Sequence, residues 1–234
     1  MPGLFMGPLF SLTMLVMIPA LLFVFYAQNK VKSSYTRYSR VRTRKNITGA
    51  QVARQLLDNA GLSQVAVEMT RGVLDDHYDP RAKVLRLSPE VYRTPSIAAL
   101  GIAAHEAGHA IQDAHGYPFL ALRNNLFPVA SIGSQLAMPL FLAGFFFTGI
   151  GGTLMDIGIV LYFLAVLFQT ATLPVEFNAS NRAVALLTEG GFVERDEAEG
   201  VRNVLDAAAL TYVASLAVAL SQLLRMLLIR GRRN

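Results

Sequence analysis

The 234-residue chain has no cysteine. Disulfides and thiolate metal sites are therefore excluded, and any metal must be held by imidazole or carboxylate. Charge is scarce as well: 16% of residues are charged against 53% hydrophobic, with a mean hydropathy of +0.40. That balance points to a membrane protein. No acidic residue occurs before Asp58. Internal repeats, phosphate-cradling loops and low-complexity tracts are absent. The first apolar segment lacks a basic n-region and a small-x-small cleavage site, so it reads as a retained anchor and not as a cleaved signal.

Four uncharged runs are long enough to span a bilayer, which takes about 20 apolar residues. They cover residues 1–29, 124–155, 157–175 and 207–224. Asp156 separates the second and third runs, and with Gly149, Gly151 and Gly152 it marks an expected hairpin turn. Pro139 inside the second run predicts a kink that a membrane helix tolerates. Directly after the first run comes "KVKSSYTRYSRVRTRKN", with seven Lys or Arg. Basic residues beside a span stay on the cytoplasmic side, which puts the N-terminus outside and the next region inside. The partner expected for such a run is anionic lipid and not nucleic acid. The C-terminal "LRMLLIRGRRN" opposes this plan: if the fourth run crosses, its arginines end outside.

The densest chemistry lies in "AAHEAGHAIQDAHG", residues 103–116. Thr94 as N-cap and Pro95 at the first helical position predict a helix over 95–115. Residues four apart share a helix face, so His105 and His109 can reach one ion. Imidazole suits zinc, and a catalytic zinc takes three protein ligands and keeps one open position. Glu106 is placed to take a proton from the attacking water. His-Glu-x-x-His is a known metalloprotease pattern; two satisfied histidines on an amphipathic helix are the plainer alternative.

Two residues compete as the third ligand. His115 has metzincin spacing, but Gln112 stands where that pattern needs a turning glycine. On an unbroken helix His115 lies about 15 Å along the axis from His105 and becomes a C-terminal residue beside Gly116. The other candidate is Glu176 in "TLPVEFNASNRAVALLTEGG", where Pro174 is expected to open a helix that stops at Gly190 and Gly191. If the second and third runs form a hairpin, the chain returns to the cytoplasm near Leu173. His105, His109 and Glu176 then share one side of the membrane, which favours Glu176.

Between anchor and motif, residues 48–60 read as a helix capped by Thr48 and stopped at Gly61. "VAVEMTRG" (65–72) and "VLRLS" (84–88) read as strands paired in a hairpin, with His77 and Tyr78 in the loop between them. An edge strand here could hold an extended peptide by strand addition. "NIT" at 46–48 matches a glycosylation acceptor but carries no weight on a cytoplasmic segment.

The order of anchor, short strands, "HEAGHAIQ", apolar hairpin, "LPVEFNAS", helix and final apolar segment resembles the YugP-type neutral zinc metallopeptidases of bacterial membranes. The resemblance covers nearly the whole chain. More distantly the chain is similar to the HtpX-type and CaaX-processing membrane proteases. It implies one Zn2+ per chain held by His105, His109 and Glu176, with Glu106 as catalytic base. The HtpX-type helix carries an Asp four residues after its Glu, where this chain has Ser180, with Asn178 two after the Glu. Asn178, Ser180 and Arg182 become candidates for supporting the ligands or an oxyanion.

The expected fold is mainly α: a multi-pass helical membrane protein with a small α+β zincin-like catalytic region carrying a β-hairpin. Its expected parts are an anchor (1–29), a cytoplasmic catalytic region (30–127), a transmembrane hairpin (128–172), a second ligand helix with the helix after it (173–206), and a C-terminal membrane helix (207–229). The expected function is zinc-dependent endoproteolysis of membrane-associated or unfolded protein at the cell (inner) membrane. A zinc-binding scaffold without activity is the alternative. The sequence leaves the oligomeric state open.

Overall fold

The computed structural model describes residues 13–232, so the first twelve residues of the expected anchor lie outside the described residues. Among the described residues the fold is mainly helical with one small sheet. A 3-10 turn at Leu15–Met17 leads into helix α1 (Ile18–Tyr38). Among the described residues, four helical segments are long and apolar enough to cross a membrane: Leu15–Tyr38, α5 (Pro118–Ala143), α6 (Gly151–Glu189) and α7 (Arg195–Gly231). The chain divides into two compact units.

The first unit contains the chain up to Ala27, Leu122–Leu173, and the chain from Thr211 onward. Its buried cluster is Phe141, Met155, Met226 and Ile229. A Cβ atom on Gly158 of α6 would stand 2.6 Å from the carbonyl oxygen of Ala137 on α5. The two helices therefore meet backbone to backbone, as small residues allow where lipid supplies no hydrophobic drive. The turn between them falls at residues 144–150, not at Asp156. Asp156 lies inside α6, where its carboxylate accepts hydrogen bonds from Arg230 of α7 at 2.7 and 3.0 Å. That guanidinium compensates the acidic charge, so the helix need not break to expel it.

The second unit contains Gln28–Ala121 and Pro174–Leu210. Helix α2 (Gly49–Asn59) starts as expected, with a reciprocal capping box between Thr48 and Gln51. The sheet corrects the expected hairpin. It has three strands, β1 (Ala66–Met69), β2 (His77–Asp79) and β3 (Val84–Leu87), in the order β1-β3-β2. β1 runs parallel to β3, with Ala66 opposite Val84, so the two strands read from the sequence are not a hairpin. The antiparallel partner of β3 is β2, which holds His77 and Tyr78, both expected in a loop. Asp79 accepts from the backbone N–H groups of Arg81 and Ala82, turning the chain between β2 and β3.

After β3 come a short helix α3 (Pro89–Arg93) and the motif helix α4 (Ile97–Ala114). α4 starts later than Thr94 and Pro95 predict. Residues 94–96 are held extended: the Thr43 N–H donates to the Pro95 carbonyl, the Ile97 N–H to that of Val41, and Arg42 bridges Ser96. Ser96 is the N-cap, accepting from the Ala99 N–H at 3.1 Å, and Thr94 instead caps the end of α3. Val52, Leu56, Leu57, Leu85, Leu87 and Leu100 lie in the buried core. Burying such side chains contributes roughly 1.5–3 kcal/mol each, so this core fixes the unit.

Candidate metal centre

α4 presents His105 and His109 on one face, with their rings edge to face at 4.7 Å between centroids. The third member comes from α6. Nε2 of His105 lies 3.3 Å from Oε2 of Glu176, and Nε2 of His109 lies 3.6 Å from the same oxygen. The three donor atoms fall within 4.8 Å of one another. Ligand bonds of about 2.0–2.1 Å in a tetrahedron put neighbouring donors about 3.3–3.4 Å apart. The residues present thus fit one small ion such as zinc.

Close helix approach makes this possible. Gly108 precedes His109, and a Cβ there would stand 3.0 Å from the carbonyl oxygen of Ala179 on α6. Each imidazole also has a partner on its other nitrogen. Nδ1 of His105 is 3.2 Å from Oγ of Ser180, and Nδ1 of His109 is 3.0 Å from Oε1 of Gln112. Both rings therefore turn Nε2 toward Glu176, as outer partners of metal-binding histidines do.

Glu106 is buried beside this set at 9% exposure. Burial lifts its carboxyl above the ordinary glutamate range. The imidazoles of His109 and His105 pull it back, and the charges of Glu176 and Asp76 raise it further. His109 shows the opposite contest: burial disfavours its imidazolium, but hydrogen bonding to Glu176 and the charges of Glu106 and Glu176 outweigh that and raise its pKa. The buried Glu106 carboxylate thus stands beside two imidazoles and a second carboxylate that converge on one point.

The comparisons with known proteins agree with this geometry. A family described as "Putative neutral zinc metallopeptidase" matches residues 13–231. The chain belongs to this family. A Bacillus subtilis (strain 168) protein described as "Putative membrane protease YugP" is 48% identical over 217 residues, covering 92% of this chain and 96% of that relative. No solved structure matches the chain.

Other sequence expectations fare unevenly. Pro174 does not open a helix: α6 runs through it from Gly151 to Glu189, and Glu176 sits in mid-helix. Glu176 therefore does not lie in the first turn of a helix opened by Pro174. What holds the carboxylate is the crossing of α6 over α4 at Gly108. A proline within a membrane helix is tolerated because neighbouring groups re-satisfy the backbone. His115 is the exposed C-cap of α4 and is not among the converging donors. Asn178 and Arg182 lie behind the centre: Nε of Arg182 donates to Oδ1 of Asn178 at 2.8 Å, and Nε2 of Gln112 donates to that oxygen at 2.9 Å. Sequence reasoning weighed Gln112 only as a missing glycine. Its position three residues after His109, on the same helix face, was the available signal.

Proposed function

We propose that this family member is a membrane-embedded zinc endopeptidase that hydrolyses peptide bonds in membrane-associated or unfolded protein. The observation that carries the proposal is the meeting of the two Nε2 atoms with Glu176 Oε2 at 3.3 and 3.6 Å beside the buried Glu106. In this reading His105, His109 and Glu176 hold one Zn2+. When bound, zinc supplies a Lewis acid that polarises the scissile carbonyl and lowers the pKa of water toward about 7. Glu106 takes the proton from the attacking water and returns it to the leaving amine nitrogen. Burial raises its pKa, which makes its carboxylate a better acceptor for the water proton. Ser180 and Gln112 orient the imidazoles. Arg182, already donating to Asn178, belongs to this orienting network and not to an oxyanion site.

The substrate class follows from chain position. Glu176 comes directly after the apolar run 157–175, and the motif helix ends four residues before α5 begins. Both ligand sources thus lie at membrane boundaries, where a substrate anchored in or lying on the bilayer is within reach. The seven basic residues after the first span assign this side to the cytoplasm of the cell (inner) membrane. The parts carrying the chemistry are the region 30–127 and the helix bearing Glu176.

The test is cleavage of an unstructured protein by detergent-purified wild type and Glu106→Gln, with zinc content measured in parallel. Wild type should cleave, and the variant should keep its zinc while losing activity by orders of magnitude. Equal cleavage by both would end this reading.

A further inference from the structure

Behind the metal centre a chain of hydrogen bonds runs through the seam between α4 and α6, and its direction is set at both ends. A guanidinium can only donate, and a main-chain carbonyl can only accept. Nε of Arg182 donates to Oδ1 of Asn178 at 2.8 Å, so Asn178 must present its oxygen there. Nε2 of Gln112 donates to that oxygen and to the main-chain carbonyl of Val175, each at 2.9 Å. Both amide protons of Gln112 are then used, and the group facing Nδ1 of His109 at 3.0 Å is its carbonyl Oε1. Gln112 is fully buried, and so is Val175, so reversing the amide would oppose oxygen to oxygen without water to relieve it.

An oxygen at that place requires the proton on Nδ1. We propose that Gln112 is a positioning residue that locks His109 in the tautomer with Nδ1 protonated. In the neutral ring the nitrogen left to bind a metal is thereby Nε2, on the side of Glu176. This rests on the reading of His109 as a metal ligand. His105 has no such lock, since its partner Ser180 carries a hydroxyl that can rotate to donate or accept. The two ligands therefore differ: one is preset by the fold and the other is free to adjust. The preset one is tied through Gln112 to the carbonyl of Val175, the residue next to Glu176, so Gln112 also holds the two ligand helices in register.

The experiment uses the full chain in detergent, labelled with 15N-histidine and stripped of metal, at a pH where the imidazole is neutral. Long-range 1H–15N spectra report which ring nitrogen carries the proton, and competition with a zinc chelator reports affinity. Wild-type His109 should be protonated at Nδ1. Gln112→Leu should lose that preference and weaken zinc binding about 10- to 100-fold, the range for loss of such an outer partner. Gln112→Glu should keep the Nδ1 proton and bind zinc more tightly than the leucine variant, because a carboxyl oxygen, ionised or not, accepts from His109. A wild-type proton on Nε2 would overturn the proposal, and so would a leucine variant with unchanged tautomer and affinity. Equal loss in the glutamate and leucine variants would also overturn it. Should the leucine variant fail to fold, the wild-type spectrum and the glutamate variant decide. If wild type shows the Nδ1 proton yet binds no zinc, the metallopeptidase reading fails and the lock stands.

Discussion

Gly108 of α4 lies against the main-chain carbonyl of Ala179 on α6, so close that an added Cβ would stand 3.0 Å from that oxygen. This contact brings His109, next to Gly108, within 3.6 Å of Glu176, three residues before Ala179. Gly108→Val should push the helices apart. Overpacking of this kind costs about 1–3 kcal/mol, and the spread ligands should bind zinc at least about tenfold more weakly. Thermal unfolding and chelator competition in detergent check both effects. A folded valine variant with wild-type zinc affinity would show that the contact does not set the site.

Glu176 and His115 make opposite predictions. Glu176→Ala should cut zinc affinity by orders of magnitude, because a three-ligand site loses one donor and a negative charge. His115→Ala should bind zinc as wild type does, since its ring caps α4 away from the cluster. Equilibrium dialysis of both variants gives the answer, and reversed behaviour would mean a metzincin-like ligand set.

The legible parts of the site were those encoded by spacing. His105 and His109 are four apart on an uninterrupted helix, so their convergence could be read directly. The remaining parts depend on tertiary partners. Glu176 was expected from the order of the apolar runs, and the structure brings it to the two histidines from the middle of a helix, not from a start at Pro174. Pro174 looks like a helix start, and only packing decides that α6 continues through it. β2 escaped notice because three residues, His77–Asp79, show no apolar alternation, and its pairing comes from β3. With β2 taking the antiparallel edge, β1 was left to pair parallel. Gln112 was misjudged because its partners Val175 and Asn178 are more than sixty residues away.

Asp76 gives the pH prediction. Burial raises its pKa, against the opposing hydrogen bonds from the Ser88 backbone and hydroxyl and with a further push from Asp75. A carboxyl with a folded pKa above its unfolded one favours folding while protonated, and that contribution is lost as pH rises through the folded pKa. Asp76→Asn keeps an oxygen to accept from Ser88 but cannot ionise. Its midpoint of thermal unfolding should therefore exceed that of wild type at neutral pH, and the gap should close as pH falls through the carboxylate range. Unfolding of both proteins in chelator, which removes zinc's own pH dependence, measures this. A gap that is constant or widens on acidification refutes the assignment.

The last prediction concerns the C-terminus, where charge and length disagreed. Arg230 and Asp156 are joined at 2.7 and 3.0 Å, which puts the end of α7 level with the beginning of α6. α6 begins just after the turn at 144–150, so Arg230 lies on the membrane side of that turn. If the turn at 144–150 lies outside, α7 crosses as well and its final arginines are expected outside. The pairing offsets the charge rule, because Arg230 meets a carboxylate instead of facing the wrong leaflet alone. Reporters fused near Asn46, at Gly149 and after the last residue should read inside, outside and outside. An Asp156→Ala, Arg230→Ala double variant should keep that pattern while unfolding at a lower temperature. A C-terminal reporter on the side of Asn46 would show that α7 does not span, and the ion pair would then need another explanation.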